Sequence, residues 1–302
     1  MNQSLTSATA SPAFRGAAFM ILAGIAFAAL NTITQHLTMN LGLSSTSDAF
    51  WQYFLALVFS VPLLARTGLR ALKTSFPLMQ VARVVLSVLG VQAWVYGLAH
   101  GVQIWQAIAL VMTSPFFVTA GAALFLKERV GKERWFATAV AFTGAMIILR
   151  PWADPVTLAA LAPVAAAALW AGASLLTKSV LSKDSSATAT LWLLLMMSPI
   201  NAVFAVAGGF QIPTGEILGW LVVSGLLMVG AQYFLAKAYE TADAAYVQPF
   251  DDLKLPLNLL AGYLAFGYAP QGQLWLGAMM ILAASLFIFF VERRQEAARV
   301  AA

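Results

Sequence analysis

"SPFFVTAGAALFLKERVG" (114–131) and "LPLNLLAGYLAFGYAPQG" (255–272) lie over each other without a gap. Pro115 falls on Pro256, Ala120 on Ala261, Gly121 on Gly262, Phe125 on Phe266 and Gly131 on Gly272, all at an offset of 141 residues. "FAALN" (27–31) and "WAGAS" (170–174) match more faintly, at an offset of 143. Small and apolar letters coincide often in greasy helices, so each match alone is weak. A shared register in two places reads as an internal repeat.

The composition says where such a repeat lives. The chain has 302 residues, 61% of them hydrophobic and only 10% charged, against about 25% charged in a soluble domain. Too few polar groups remain to cover a water-facing surface, so the chain is an all-α integral membrane protein. With no cysteine and two histidines, disulfides, thiolate metal sites and His clusters drop out, and no metal or cofactor is expected. The net charge of +5 does not point to nucleic acid, because the basic residues sit in short gaps between apolar runs. The first apolar run is as long as a full span, which reads as a retained helix and not a cleaved leader.

A crossing of the bilayer takes roughly 20 apolar residues. That ruler predicts ten spans, over 16–38, 48–65, 76–99, 103–126, 134–149, 156–180, 187–208, 216–239, 244–267 and 272–291. The runs are continuous, which excludes a β-barrel. Placing the N-terminus in the cytoplasm puts fourteen of the seventeen Lys and Arg residues on that side, with Arg150 outside and Arg83 and Lys254 inside spans. Both termini are then cytoplasmic, as tails 1–15 and 292–302. The repeats are 16–150 and 151–291. An offset of five helices inserts the second repeat upside down around a central cavity, an architecture of secondary transporters with a midplane site.

On these motifs the chain resembles the drug/metabolite transporter superfamily, in its ten-helix branch of two EamA-type units. The resemblance covers 15–291. It rests on the short-looped helices, on the aromatic-small-small-small-polar step at 27–31 and 170–174, and on "SPFF…LFLKERVG" with Lys127, Glu128 and Arg129. The second repeat has Ala269 where the first has Glu128. The resemblance implies an exporter of small metabolites, with the fifth and tenth helices outside the cavity; amino-acid exporters of the YddG type are the kind it is most like.

Polar residues at helical spacing mark candidate cavity faces. They are Asn31 and Gln35 in the first span, Gln92, Trp94 and Tyr96 in the third, Gln106 in the fourth, Trp170 and Ser174 in the sixth, Gln232 in the eighth, and Gln248 and Lys254 in the ninth. An aromatic pocket with scattered amides suits a small, partly apolar solute, although such groups also serve as glue between helices. Trp51, Tyr53, Trp135, Trp152, Trp220 and Trp275 read as interfacial anchors. Arg83 reads as a residue that snorkels to the cytoplasm or partners Asp252.

"QPFDDLKLP" (248–256) carries three charges near mid-bilayer. Each costs roughly 2.5–3.5 kcal/mol there on insertion scales. Asp251 and Lys254 are i, i+3 and can touch, whereas Asp252 points elsewhere. Three readings stay open: a structural ion pair, a solute contact and a proton relay. Pro115, Pro249 and Pro256 remove backbone donors and are expected to bend their helices.

The resulting reading is a bacterial inner-membrane secondary transporter that exports small metabolites, amino acids (aromatic and neutral ones included), by alternating access. Its partners are a small-molecule substrate and the lipid bilayer, with protons, a monomer and a homodimer left open. Export of drugs, sugars or other metabolites is the alternative within the class. An enzyme would need a catalytic constellation, and no HExxH, GxSxG or Walker loop is present. A channel would need a polar pore or a ring of like charges.

Overall fold

The computed structural model describes residues 12–100, 102, 104–111, 113–128, 130–149, 158–251, 253–267 and 272–301. All secondary structure among them is helical. Helix α1 (Pro12–Gln35) runs into a π-helical turn, His36–Asn40. Helices α2 (Ser45–Phe59) and α3 (Val61–Thr67) join at Ser60 and lead through a 3-10 turn, Leu69–Leu72, to α4 (Pro77–Ala99). Next come α5 (Ile104–Val111), α6 (Ser114–Phe125) and α7 (Lys132–Leu149). The second half holds α8 (Leu158–Val180), α9 (Ser186–Ala207), α10 (Gly215–Thr241), α11 (Ala244–Asp251), α12 (Lys254–Phe266) and α13 (Gly272–Ala301). Ser44 and Ser185 cap α2 and α9 by accepting from the amides of Ser47 and Thr188, which satisfies donors that a helix start leaves open.

Among the described residues, six stretches are long and apolar enough to cross a membrane: Pro12–Asn40, Ser45–Thr67, Pro77–Gly97, Leu161–Val180, Ser186–Ala207 and Gly215–Thr241. The expected single spans over 103–126 and 244–267 are each divided, into α5 and α6 and into α11 and α12. Proline is the cause. Pro115 and Pro256 have no N–H for the carbonyl four residues back. Just before them, the amides of Thr113 and Leu253 turn to Leu110 and Phe250, three residues back, at 3.1 and 3.4 Å. A proline in the first turn of the following half-helix then costs nothing, because those amides lack intrahelical partners anyway. α11 runs through Pro249 without a break, so the expected bend there is not marked by an interruption.

The packing has an exchange pattern. α1 lies on α10, and α4 on α8; α5 and α6 pack on α8, α11 and α12 on α1; α2 meets α10, and α4 meets α9. Swapping the first half for the second carries each of these pairs into its counterpart. The pairs α2 with α9 and α7 with α13 map onto themselves. Polarity is turned inside out. Leu78, Val203, Val206 and Leu264 are exposed, while Gln52, Gln80, Arg83 and Asn201 are buried. Apolar surface this widespread suits contact with lipid and not with water.

One close approach fixes α4 against α8. The Trp170 indole donates from Nε1 to the Ser87 carbonyl at 3.2 Å and lies where a side chain on Gly90 would be. Gly90→Ala is therefore expected to lower Tm in detergent, by the about 1–3 kcal/mol that overpacking costs. Gly219→Ala, with no atom within 4 Å of its added Cβ, leaves Tm unchanged or slightly raised.

Candidate functional site

The helices enclose a central cavity of about 320 Å³, within the range of small-molecule sites. Most of the helices lend it one stripe. α1 supplies Phe27, Leu30, Asn31 and Thr34, and the π-helical turn after it Thr38; α4 supplies Arg83, Ser87, Val91, Trp94 and Val95; α8 supplies Trp170, Ala173, Ser174 and Thr177; α10 supplies Met228, Gln232, Leu235, Ala236 and Tyr239. From α2 come Ser45, Asp48, Ala49, Gln52 and Tyr53, and from α9 Thr190 and Leu193. The two interruptions face the same space through Val111 and Ser114 on one side and Asp251 and Lys254 on the other. Among the described residues, α7 and α13 contribute none.

Lys254 opens α12 and forms an ion pair with Asp251 at the end of α11, both side chains largely buried. Its ammonium also sits 4.6 Å from the centre of the Phe27 ring, a cation–π contact strengthened by desolvation. One turn on, Asn258 donates to the Lys254 carbonyl at 2.6 Å and accepts from Asn31 at 3.1 Å. The second interrupted helix is thus tied to α1 by polar contacts. The corresponding positions of the first half, Thr113 and Phe117, carry no charge.

An aromatic wall stands opposite. Trp94 and Trp170 approach with centroids 6.2 Å apart. Below them Arg83, 4% exposed, donates to Thr177 at 3.3 Å, Gln80 at 2.8 Å and the Ala189 carbonyl at 2.5 Å. Its Nε has no hydrogen-bond partner among the described residues. Arg83 therefore stays inside the bundle and does not snorkel. Gln80 in turn donates to Asp184 at 3.4 Å, so the guanidinium reaches a carboxylate only through an amide.

Of the residues singled out from the sequence, Asn31, Trp94, Trp170, Ser174, Gln232, Asp251 and Lys254 line the cavity. Gln35, Gln92 and Tyr96 do not, which corrects the expectation for them. Tyr96 is 44% exposed and stacks on His100. The reason is angular: two residues of α-helix turn through about 200°, so Trp94 and Tyr96 face opposite ways. Gln35 lies about 100° round the helix from Thr34, at the edge of the α1 stripe. Asp252 and Trp152 lie outside the described residues, as do the side chains of Gln106, Gln248, Pro115 and Pro249. Asn258, on the same polar stripe of the ninth span as Asp251, lines the cavity as well. Sequence reasoning missed Asp48 and Gln52 and took Tyr53 for an interfacial anchor, although it is 8% exposed and lines the cavity. The i, i+4 spacing of Asp48 and Gln52 was the available signal.

The EamA-like transporter family model matches residues 14–150 and 157–290. The chain is similar to a riboflavin transporter of Rhizobium johnstonii, 59% identical over 98% of both chains. It is 47% identical to a riboflavin transporter of Vibrio cholerae, over 91% of this chain and 92% of that one. At 27% identity it resembles an S-adenosylmethionine uptake transporter of Rickettsia bellii, over 92% and 94% of the two chains. These names support a multi-pass membrane transporter of small metabolites and no enzyme. The expected amino-acid export finds no support in them, in substrate or in direction.

The ion pair makes a stability test. Lys254→Met removes the cation beside a largely buried carboxylate and is expected to cost up to about 3–5 kcal/mol. The double variant Asp251→Asn/Lys254→Met is expected to recover much of that loss. Tm of the two purified variants in one detergent checks it; equal Tm values would show no coupling between the pair.

Proposed function

The chain belongs to the EamA-like transporter family, and from that premise we propose that it is a secondary transporter of riboflavin. The observation that carries this reading is the 59% identity to a riboflavin transporter along nearly the whole of both chains. The cavity supports it. Riboflavin is a neutral amphiphile, a flat three-ring system bearing a polyol chain. Trp94, Trp170, Phe27 and Tyr53 offer flat apolar surface, and amides, hydroxyls and a balanced set of charges lie around them. Aromatic stacking favours such a ring system by about 0.5–1.5 kcal/mol beyond area burial.

The proposal extends to the architecture. Ten membrane crossings arise when α2 with α3, α5 with α6 and α11 with α12 each count once. The repeats 16–150 and 151–291 are inverted, both termini are cytoplasmic, and the membrane is the bacterial inner membrane. The exchange pattern of the helix pairs supports the inversion, and the distribution of Lys and Arg supports the orientation. Two near-equivalent halves around one site supply the two states that alternating access requires.

Purified protein in liposomes is expected to give saturable riboflavin flux, read in both directions with and without a pH gradient. Trp94→Ala is expected to weaken riboflavin binding about 3- to 10-fold. Folded protein that carries S-adenosylmethionine or an amino acid but no riboflavin would overturn the assignment.

A further inference from the structure

The cavity is chemically divided along its length. α2 runs from Asp48 towards the end where α4 begins, so Arg83, early in α4, lies towards the opposite end from Asp48. The Asp48 end is built from the last part of α1 and the first turns of α2. Thr34, Thr38, Ser45, Asp48 and Gln52 all line the cavity there, and Ser45 is exposed at its mouth. Asp48 is 3% exposed. Its Oδ2 accepts from Gln52 Nε2 at 2.9 Å, and the same amide nitrogen donates to Thr34 Oγ1 at 2.6 Å. Its Oδ1 has no hydrogen-bond partner, and no cation pairs with it, among the described residues.

A buried carboxylate oxygen without a donor is costly, and a ligand that brings donors recovers that cost. The surroundings indicate which donors. Thr38 already donates to the Thr34 carbonyl at 2.8 Å and Gln52 Nε2 to Thr34 and Asp48, so the Thr38 hydroxyl and the Gln52 carbonyl oxygen offer acceptors, while the Ser45 hydroxyl can give or accept. A carboxylate among such groups complements a row of neighbouring hydroxyls, each of which needs one acceptor and can take one donor. A flat ring has its partner elsewhere, at the Trp94 and Trp170 wall.

We propose that Asp48, with Thr34, Thr38, Ser45 and Gln52 around it, is the polyol subsite. It holds the ribityl chain of the flavin and so fixes which way round the substrate lies, ring towards the tryptophans and chain towards the α1–α2 end. This rests on the riboflavin reading and adds to it a specificity-determining residue.

Lumiflavin, the same ring system with a methyl group in place of the ribityl chain, separates the two. Binding of riboflavin and of lumiflavin is measured on the purified full chain by flavin fluorescence quenching. Wild type is expected to bind riboflavin at least tenfold tighter. Asp48→Asn removes the charge without changing the shape; riboflavin affinity is expected to fall about tenfold and lumiflavin affinity to stay within twofold. Thr38→Val, a second and independent variant, is expected to weaken riboflavin about threefold and spare lumiflavin. Retained lumiflavin binding certifies the fold of each variant. Equal losses for both ligands, or no loss for riboflavin, would overturn the polyol subsite. So would wild type that binds lumiflavin as tightly as riboflavin, a result that leaves the flavin reading standing. Wild type that binds neither flavin would overturn both.

Discussion

Hydrocarbon offers no partner to a broken backbone, and the rest of this structure follows from that constraint. Each amide and carbonyl that faces lipid has to be paired inside its own helix. The apolar stretches are accordingly long and uninterrupted where they are exposed. The chain breaks its ladder where Pro115 and Pro256 take away a donor. At those places Val111, Ser114, Asp251 and Lys254 line the cavity. A gap in the ladder is tolerable there, because protein groups and a solute can approach it.

The same constraint sorts the side chains. Leu78, Val206 and Leu264 face outward, and Asp48, Arg83 and Gln80 are held inside. Low dielectric sharpens both sides of this arrangement: paired groups bind each other strongly, and open ones are expensive. Lys254 with Asp251 is a paired group, strengthened by the Phe27 ring. Arg83 and Asp48 each keep one atom without a partner among the described residues. The cavity thus combines open hydrogen-bonding capacity with the flat apolar surface of Trp94 and Trp170.

Several parts of this were legible from residue letters. The pairing of Lys254 with Asp251 was permitted by i, i+3 spacing, and it persists across the interruption between α11 and α12. The interruptions sit just before prolines that occupy equivalent places in two matching segments. Tyr53 was not legible, since position near the start of a span looks the same for an interfacial anchor and for a residue turned inward. Trp94 and Tyr96 both suggested a cavity wall, and the turn of the helix permits one of them.

The sequence by itself determined the hydrophobic segments, their approximate register in two halves and the points where the backbone could not continue its hydrogen bonds, because these depend on composition and on the chemistry of single residues. The tertiary structure decided how each helix is rotated about its own axis. That rotation is set by contacts between residues far apart in the chain, such as Trp170 over Gly90 and Asn31 with Asn258. It is therefore what turned Asp48, Gln52, Tyr53 and Arg83 towards the cavity and Gln92 and Tyr96 away from it.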